Sequence, residues 1–598
     1  MPVLSSLLYQ ADTLGIALTA DNRPGRGEGL AFRFEAPRLS PIDCEIQGWA
    51  NGLAEGASEH TLQAASGLMS VHGRASGKAQ GLGLDYVSTL AASLALQGTF
   101  AAALGQLRGG SFSRARVSLA SAAMLGVGQY LAGATVPDGA EQLLPGCSAR
   151  DERPPFVSAD GVVFELETLD AEPWRRFWSA LGIQGELAGK GWNAFLMRYA
   201  KALAPVPALL MQTLAGQPYA RIAELCEQTG VSICPLRSLA ARRGDAELPR
   251  QLEQGPWSFA LESIGLQAAP RPVYGDLPLH GLRVIESCRR IQGPLAGHLL
   301  SLLGAEVVRL ELPGGDPLRG MPPLVDGCSV RFDALNRYKQ VREVNIKSAQ
   351  GRAEIHELVR HADVFLHNWA PGKAAELALD HADLARINPA LVYAYAGGWG
   401  DDRCQQGVPG TDFMVQAHSG VARQIGEASG SAGGSLFTVL DVLGGVVAAQ
   451  GITAALLNRS LQGQAGRVDS SLLGAATLLC AAELQALPGA APRASALKAV
   501  YPTASGLLAI DCHDQTQLEY LSRALDCQLA AEPEKRDRQL RRVFGQREAQ
   551  EWQEILKGFG VPASVVVEDL SAVLEDRRIQ PCLSVNAYAL VNAPWSFI

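Results

Sequence analysis

The chain has 598 residues, 47% of them hydrophobic and 19% charged, with a formal net charge of −8. That length exceeds what one hydrophobic core organises, and the acidic balance argues against a nucleic-acid partner held by a general basic surface. The 11 cysteines stand singly, without CxxC or paired spacing, which argues against a zinc or disulfide framework.

Single thiols fit a reducing compartment. No basic n-region precedes Asp12 and no apolar run reaches spanning length. The sequence therefore predicts a cytoplasmic protein with no membrane partner.

In chain order, LAFRFEAP (30–37) and DCEIQGWA (43–50) alternate as strands do. From Glu59 the text turns helical and rich in Ala and Leu, through DYVSTLAASLALQGTFAAALGQLRGG. Near Pro154 begins PPFVSADGVVFELETLDAEPWRRFWSALG, a strand pair around Ala159-Asp160-Gly161 followed by an amphipathic helix. A helix from Tyr219 to Gly230 and a short strand, VSICPL, follow. Pro249, Pro256, Pro270, Pro272 and Pro278 then mark a linker. The predicted units are 1–245, a linker over 246–277, and 278–598.

Beyond the linker, strand LRVIES, a turn at Gly293-Pro294, helix LAGHLLSLLG and strand AEVVRLEL make a β-α-β unit. Alternation continues with VREVNI (341–346), a helix over 351–361, DVFLHN (363–368), a helix over 373–387 and LVYAYAG (391–397). This predicts one doubly wound parallel sheet. The stretch Pro409 to Gly445 then passes through a Gly/Ser-rich loop, Gly426 to Ser435, to a single acid, Asp441, ahead of Gly444 and Gly445. The apolar run after it has helical length, so Asp441 falls near a helix N-terminus, which favours negative charge. A bare carboxylate in such apolar text needs partners or a shifted pKa.

An internal repeat is also legible. Gln416-Ala417-His418-Ser419-Gly420 matches Gln63-Ala64-Ala65-Ser66-Gly67, and AAQGITAALLNR (448–459) matches ALQGTFAAALGQ (95–106) at the same offset. TASGLLAIDCHDQTQLEYLSRAL from Thr503 echoes SADGVVFELETLDAEPWRRFWSAL from Ser158. The reading is one full copy preceded by a shortened copy lacking the β-α-β front. In the shortened copy Ser88 stands for Asp441 and Glu59 for Asp412.

Residues 278–598 resemble the family III CoA transferases, the group of formyl-CoA transferase, carnitine and bile-acid CoA transferases and α-methylacyl-CoA racemase. The matching blocks are LHGLRVIESCRRIQGPLAGHLLSLLGAEVVRLELPGGDPLR, NRYK (336–339), ADVFLHNWAPG, INPALVYAYAGGWG, PGTDFMVQAHSG, the Asp441 segment and EWQEILKGFGVPASVV, all in one order. Residues 59–240 carry the resemblance in degenerate form. It implies an α/β fold, a Rossmann-like parallel-sheet domain with a smaller α+β domain. It implies Asp441 as the catalytic carboxylate, with Gln292, Asn336, Lys339 and Asn368 at CoA and Lys339 on its phosphates. Thr411, Gly444 and Gly445 would lie beside the acyl group, the glycines letting it approach closely.

The substrates implied are an acyl-CoA and a carboxylic acid, with no permanently bound cofactor and no metal. Related enzymes form interlocked dimers, so the chain would be a pseudo-dimeric monomer or a homodimer. Three departures stand out. Lys373 to Glu376 lack the Arg common after the NxxPG turn, and no Gly-rich loop follows near 483–500. Thr411 replaces the Tyr or His of the family, and in racemases that His is the second base. The expected activity is CoA transfer through a covalent aspartyl intermediate. An α-methylacyl-CoA racemase, with His418 as substitute base, and a non-catalytic CoA-binding scaffold are the alternatives.

Overall fold

The runs VIES, VVRLE, VFLH and VYAYAG are apolar at consecutive positions, as strands covered on both faces must be. In the computed structural model, which describes residues 2–21, 29–52, 56–137, 153–265, 272–273, 275–400, 408–486 and 496–598, they form the middle of a seven-stranded sheet. Its strands are β1 (Trp257–Ser263), β2 (Arg283–Ser287), β3 (Glu306–Glu311), β4 (Gln340–Glu343), β5 (Val364–His367), β6 (Val392–Gly397) and β7 (Gln464–Ser471). The order is β4-β3-β2-β5-β6-β7-β1. All neighbours run parallel except β7 and β1. The order reverses between β2 and β5, and ligands of doubly wound sheets sit outside the carboxyl ends at such a point.

A second sheet of five strands is built from Leu18–Asp21, Leu30–Phe34, Ile42–Gln47, Arg114–Ser118 and the C-terminal Trp595–Phe597. Two three-stranded layers complete the sheets of the smaller lobes. One holds Phe156–Val157, Val163–Glu167 and Ser232–Pro235; the other holds Leu497–Pro502, Leu507–Cys512 and Ala563–Val565. The chain crosses over itself in placing them. The first layer packs on the helix Asp412–Ser419, with Arg237 N donating to Ala417 O at 2.9 Å. The second packs on the helix Glu59–Ala65, with Val567 N donating to Ala64 O at 3.0 Å.

At the centre lie two helices, Tyr86–Leu107 and Val439–Gln462, apolar on every face and long enough to cross a membrane. The most apolar windows of the two are 100% and 94% buried inside the protein, respectively. They form its core, the other setting in which a helix is hydrophobic all round. Tyr86 Oη donates to Val439 O at 3.1 Å, tying one to the other.

The structure departs from the sequence reading in four places. The stretch read as a linker holds a helix, Leu248–Gln254, and β1, which closes the edge of the large sheet; Pro249 sits in that helix's first turn, where no N–H is needed. Gly293 and Pro294 likewise lie inside the helix Gln292–Leu302 and not in a turn before it. The helix expected over 373–387 is two short ones, Lys373–Glu376 and His381–Ala385, separated where Ala378 takes φ +52° and Asp380 starts a capping box with Asp383. The expected loop Gly426 to Ser435 is helical up to Ser429. Pro270 of the expected linker, and residues 487–495 of the stretch 483–500 in which no Gly-rich loop was expected, lie outside the described residues.

Each sheet is closed by a strand that opens on tryptophan, and each indole docks on a central helix. Trp257 Nε1 donates to Val447 O at 2.8 Å, and Trp595 Nε1 donates to Leu94 O at 2.7 Å. Glycine makes room: a Cβ on Gly451 would lie 2.5 Å from Trp257 Cδ1, and one on Gly98 would lie 2.6 Å from Trp595 Cδ1. Trp595→Ala is expected to lower unfolding free energy by about 3–5 kcal/mol, and Gly98→Ala to destabilise through the same contact. Urea unfolding at constant pH measures both; an unchanged midpoint for Trp595→Ala would show the docking to be idle.

Candidate active site

Asp441 occupies the first turn of the helix Val439–Gln462, where the helix dipole favours an anion. It is 9% exposed. Its carboxyl oxygens take no hydrogen bond from any described residue. Its backbone N–H donates to Asp412 Oδ2 at 2.6 Å. Asp412 opens the helix Asp412–Ser419, and its other oxygen accepts from Gln416 Nε2 one turn on. Gln416 Oε1 accepts from Ser435 N at 3.1 Å, which anchors the loop before Asp441. Burial pushes Asp412 up to about 6, against the lowering effect of Gln416 and two backbone N–H groups. Asp441 is pushed well above the ordinary carboxylate range, first by burial and then by the Asp412 charge, with Arg290 opposing.

The wall beside this pair comes from the N-terminal half. Glu167, at the end of the strand Val163–Glu167, accepts on Oε2 from Thr411 Oγ1 at 2.8 Å, from Arg198 Nη2 at 3.0 Å and from the Tyr199 hydroxyl. Its Oε1 accepts from Thr168 N at 3.0 Å. Arg198 is fully buried, also bonds Glu165 Oε2 at 3.0 Å, and has its guanidinium 3.8 Å from the Phe195 ring centre and 4.2 Å from that of Phe413. Burial raises Glu165 to about 7 in spite of that arginine.

Other expected residues take different roles. Gln292 starts its helix beside the site, donating from Nε2 to Gly397 O at 3.2 Å. Gly444 and Gly445 serve helix packing: a Cβ on Gly444 would lie 2.8 Å from Leu472 and 3.1 Å from Gln292 Nε2, and one on Gly445 would lie 2.8 Å from Gln292 O. Lys339, expected on the CoA phosphates, is held by protein groups in this structure. Its ammonium is buried and bonded to Glu286 Oε2 at 2.8 Å, Pro294 O at 2.7 Å and Asn336 Oδ1 at 2.9 Å. Asn336 spends its amide on Phe332 O, so both residues brace the start of the Gln292 helix. Asn368 brackets Arg289, accepting from its N at 3.0 Å and donating to its O at 2.8 Å. His418 packs edge-on against Trp399 with Nε2 3.4 Å from Arg237 Nη1. Burial and the guanidinium groups of Arg237 and Arg242 lower it to about 4.

Around Ser88 the same bonds recur. Glu59 Oε2 accepts from Ser88 N at 2.8 Å, Glu59 Oε1 accepts from Gln63 Nε2 at 2.7 Å, and Gln63 Oε1 accepts from Leu82 N at 3.0 Å. Two side chains differ: Glu59 stands for Asp412, and Ser88 carries a hydroxyl where Asp441 carries a carboxyl.

Glu167, Arg198, Tyr199 and Arg290 were not singled out by the sequence. The one signal was FELE, two acids inside strand text with a lone arginine downstream in an apolar helix.

A carboxyl raised on folding stabilises the protein only while protonated. The contribution is complete below the unfolded value near 4 and is lost as pH rises through the folded one. For Asp412 and Glu165 that window runs from about pH 4 to pH 7. Urea unfolding of Asp412→Asn is expected to show a shallower decline across it, the difference being on the order of 3 kcal/mol. Identical slopes in wild type and variant would contradict the buried, proton-holding carboxyl.

The family model described as CoA-transferase family III matches residues 30–251 and 279–587. A succinate–glutarate CoA-transferase of Agrobacterium fabrum is 31% identical over 43% of this chain and 69% of its own length. An acetyl-CoA:oxalate CoA-transferase of Acetobacter aceti is 36% identical over 33% of this chain and 51% of its own, so only about half of that relative is spanned. Among solved structures, a CaiB/BaiF family protein from Brucella suis aligns at a TM-score of 0.48 with 25% identity, over 54% of this chain and 92% of that one. The model match spans most of the chain in two stretches, one on each central helix: the chain belongs to the enzymes of CoA-transferase family III.

Proposed function

We propose that this protein moves CoA from an acyl-CoA to a carboxylic acid, with Asp441 as covalent nucleophile. The observation that carries the reading is the Asp441 carboxyl itself, set at a helix head with its backbone pinned by Asp412 and its oxygens unclaimed by any described donor. A carboxylate attacking the thioester carbonyl gives a mixed anhydride and CoA thiolate. The thiolate attacks the aspartyl carbonyl, releasing the acyl carboxylate and leaving an aspartyl-CoA thioester. The acceptor carboxylate then repeats the sequence in reverse, dividing one transfer into steps of comparable barrier. The dipole of the helix that Asp441 heads favours the negative charge on the oxygen of each tetrahedral stage. The raised proton affinity of Asp441 means that the nucleophilic form grows as pH rises, so activity falls toward acid.

The two halves, 1–245 and 278–598, are read as copies joined through 246–277, a pseudo-dimer in one cytoplasmic chain with one working site. The shared hydrogen-bond pattern at Glu59 and Asp412 supports this, as does the reciprocal docking of Trp257 and Trp595. Asp441→Asn is expected to abolish CoA exchange between acyl-CoA and free acid while leaving CoA affinity unchanged. Hydroxylamine trapping during turnover should label one peptide per chain, the one containing Asp441. Label on the peptide containing Ser88 would reassign the chemistry.

A racemase would need a second proton acceptor facing Asp441. Thr411 carries a neutral hydroxyl, His418 is engaged with Trp399 and Arg237, and Glu167 already accepts four hydrogen bonds. Each lacks a vacant, basic lone pair. Incubated in deuterated water, 2-methylacyl-CoA is expected to gain little α-deuterium on the timescale of CoA transfer. Rapid uptake, lost in Glu167→Gln, would turn the reading into an isomerase.

A further inference from the structure

Two residues before Gln292, Arg290 ends the turn after β2, at the point where the strand order reverses. Its φ is +67°, a left-handed backbone that non-glycine residues seldom adopt and that concentrates at functional positions. Asn368 clamps the preceding peptide through Arg289, so the turn is held in that shape. The side chain is exposed and forms no ion pair with a described residue. Its guanidinium lies 5.5 Å from the centre of the Tyr199 ring, and Tyr199 is bonded to Glu167, which holds Thr411 beside the Asp441 pair. On its other side Gln292 reaches the Asp441 helix at Gly444. Arg198, the other cation of this wall, is consumed by Glu165 and Glu167.

We infer that Arg290 is the specificity-determining residue for a dicarboxylic substrate, gripping the carboxylate that does not react. This rests on the transfer reading above. Among the side chains described around the nucleophile, Asp441, Asp412 and Glu167 are acids, so a second carboxylate is unwelcome unless a cation receives it. A guanidinium offers a planar fork that takes a carboxylate with two parallel hydrogen bonds. Resting against an aromatic face keeps that fork oriented before the substrate arrives. A monocarboxylic acid of equal length presents nothing to it. Tyr199 belongs to the N-terminal half, so the half without a nucleophile would set substrate choice for the half that has one.

The test uses acetyl-CoA as donor, glutarate and valerate as acceptors, and the variants Arg290→Asn and Arg290→Lys. Asparagine tolerates the left-handed backbone, so the turn is kept while the cation is removed. For glutarate, kcat/KM is expected to fall ~10- to 100-fold in Arg290→Asn, with a smaller fall in Arg290→Lys. For valerate kcat/KM only the smaller fall common to both acids is expected, because Arg290 also favours the ionised form of Asp441; for acetyl-CoA KM no change is expected. Equal losses with both acids would overturn the assignment. A rise in KM for acetyl-CoA alone would overturn it too, by making Arg290 a ligand of CoA phosphate. Calorimetry of glutarate and valerate with the CoA-bound protein separates the two levels. If glutarate binding depends on Arg290 while no transfer occurs with any acid, the transfer reading fails and this one stands. Equal glutarate affinity in wild type and Arg290→Asn overturns it.

Discussion

The site depends on one hydrogen bond, from Asp441 N to Asp412 Oδ2 at 2.6 Å. It joins the heads of two helices that enter the core from different directions, and it does so between two acids in a place nearly without water. The cost of burying Asp412 is met by Gln416 and by backbone N–H groups, as a buried carboxylate requires. The same network fixes Ser435 and with it the approach of the chain to Asp441. The Asp441 carboxyl itself takes no hydrogen bond from a described residue.

The second constraint is that neither half is finished alone. β1 comes from just after the N-terminal half yet closes the large sheet, and Trp595–Phe597 comes from the far end of the chain yet closes the five-stranded one. Each exchange covers an edge that would otherwise offer unpaired backbone groups. Each also delivers an indole to a glycine on a central helix. The lobes cross in the same sense, so the wall facing Asp441 carries Glu167, Arg198 and Tyr199 from the N-terminal half. The N-terminal half, with Ser88 N bonded to Glu59 as Asp441 N is bonded to Asp412, therefore also supplies side chains to the wall beside Asp441.

The third element is a buried charge network behind the β2 turn. Arg309 bonds Glu286 at 2.6 Å, Asp316 at 2.6 Å and Glu311 at 3.1 Å, while Lys339 bonds Glu286 and Arg319 bonds Glu311, each at 2.8 Å. Three cations meet three carboxylates, which is the condition for keeping charge out of water. Gly297 admits it, since a Cβ there would lie 1.8 Å from Glu286 Oε2. Because Lys339 also holds Pro294 O, the network fixes where the Gln292 helix begins. Lys339 and Asn336, expected at CoA, brace the helix that follows the Arg290 turn.

What the sequence determined was everything set by local pattern. Continuous apolar runs gave the parallel strands, and an acid ahead of an apolar stretch gave Asp441 at a helix head. Segments matching at one constant offset separated an intact half from one with Ser88 in place of the acid. Such features are fixed by periodicity and by the chemistry of single positions. Tertiary structure alone decided which polar residues face the site. Lys339 and Asn336 look like ligands in one dimension but are satisfied internally once Glu286 lies beside them. Glu167 and Tyr199 look like loop-end residues until the chain crosses back and sets them against Thr411, Glu167 244 residues away from it. A hydrogen bond is specified by distance and direction in space, and separation along the chain carries no information about either.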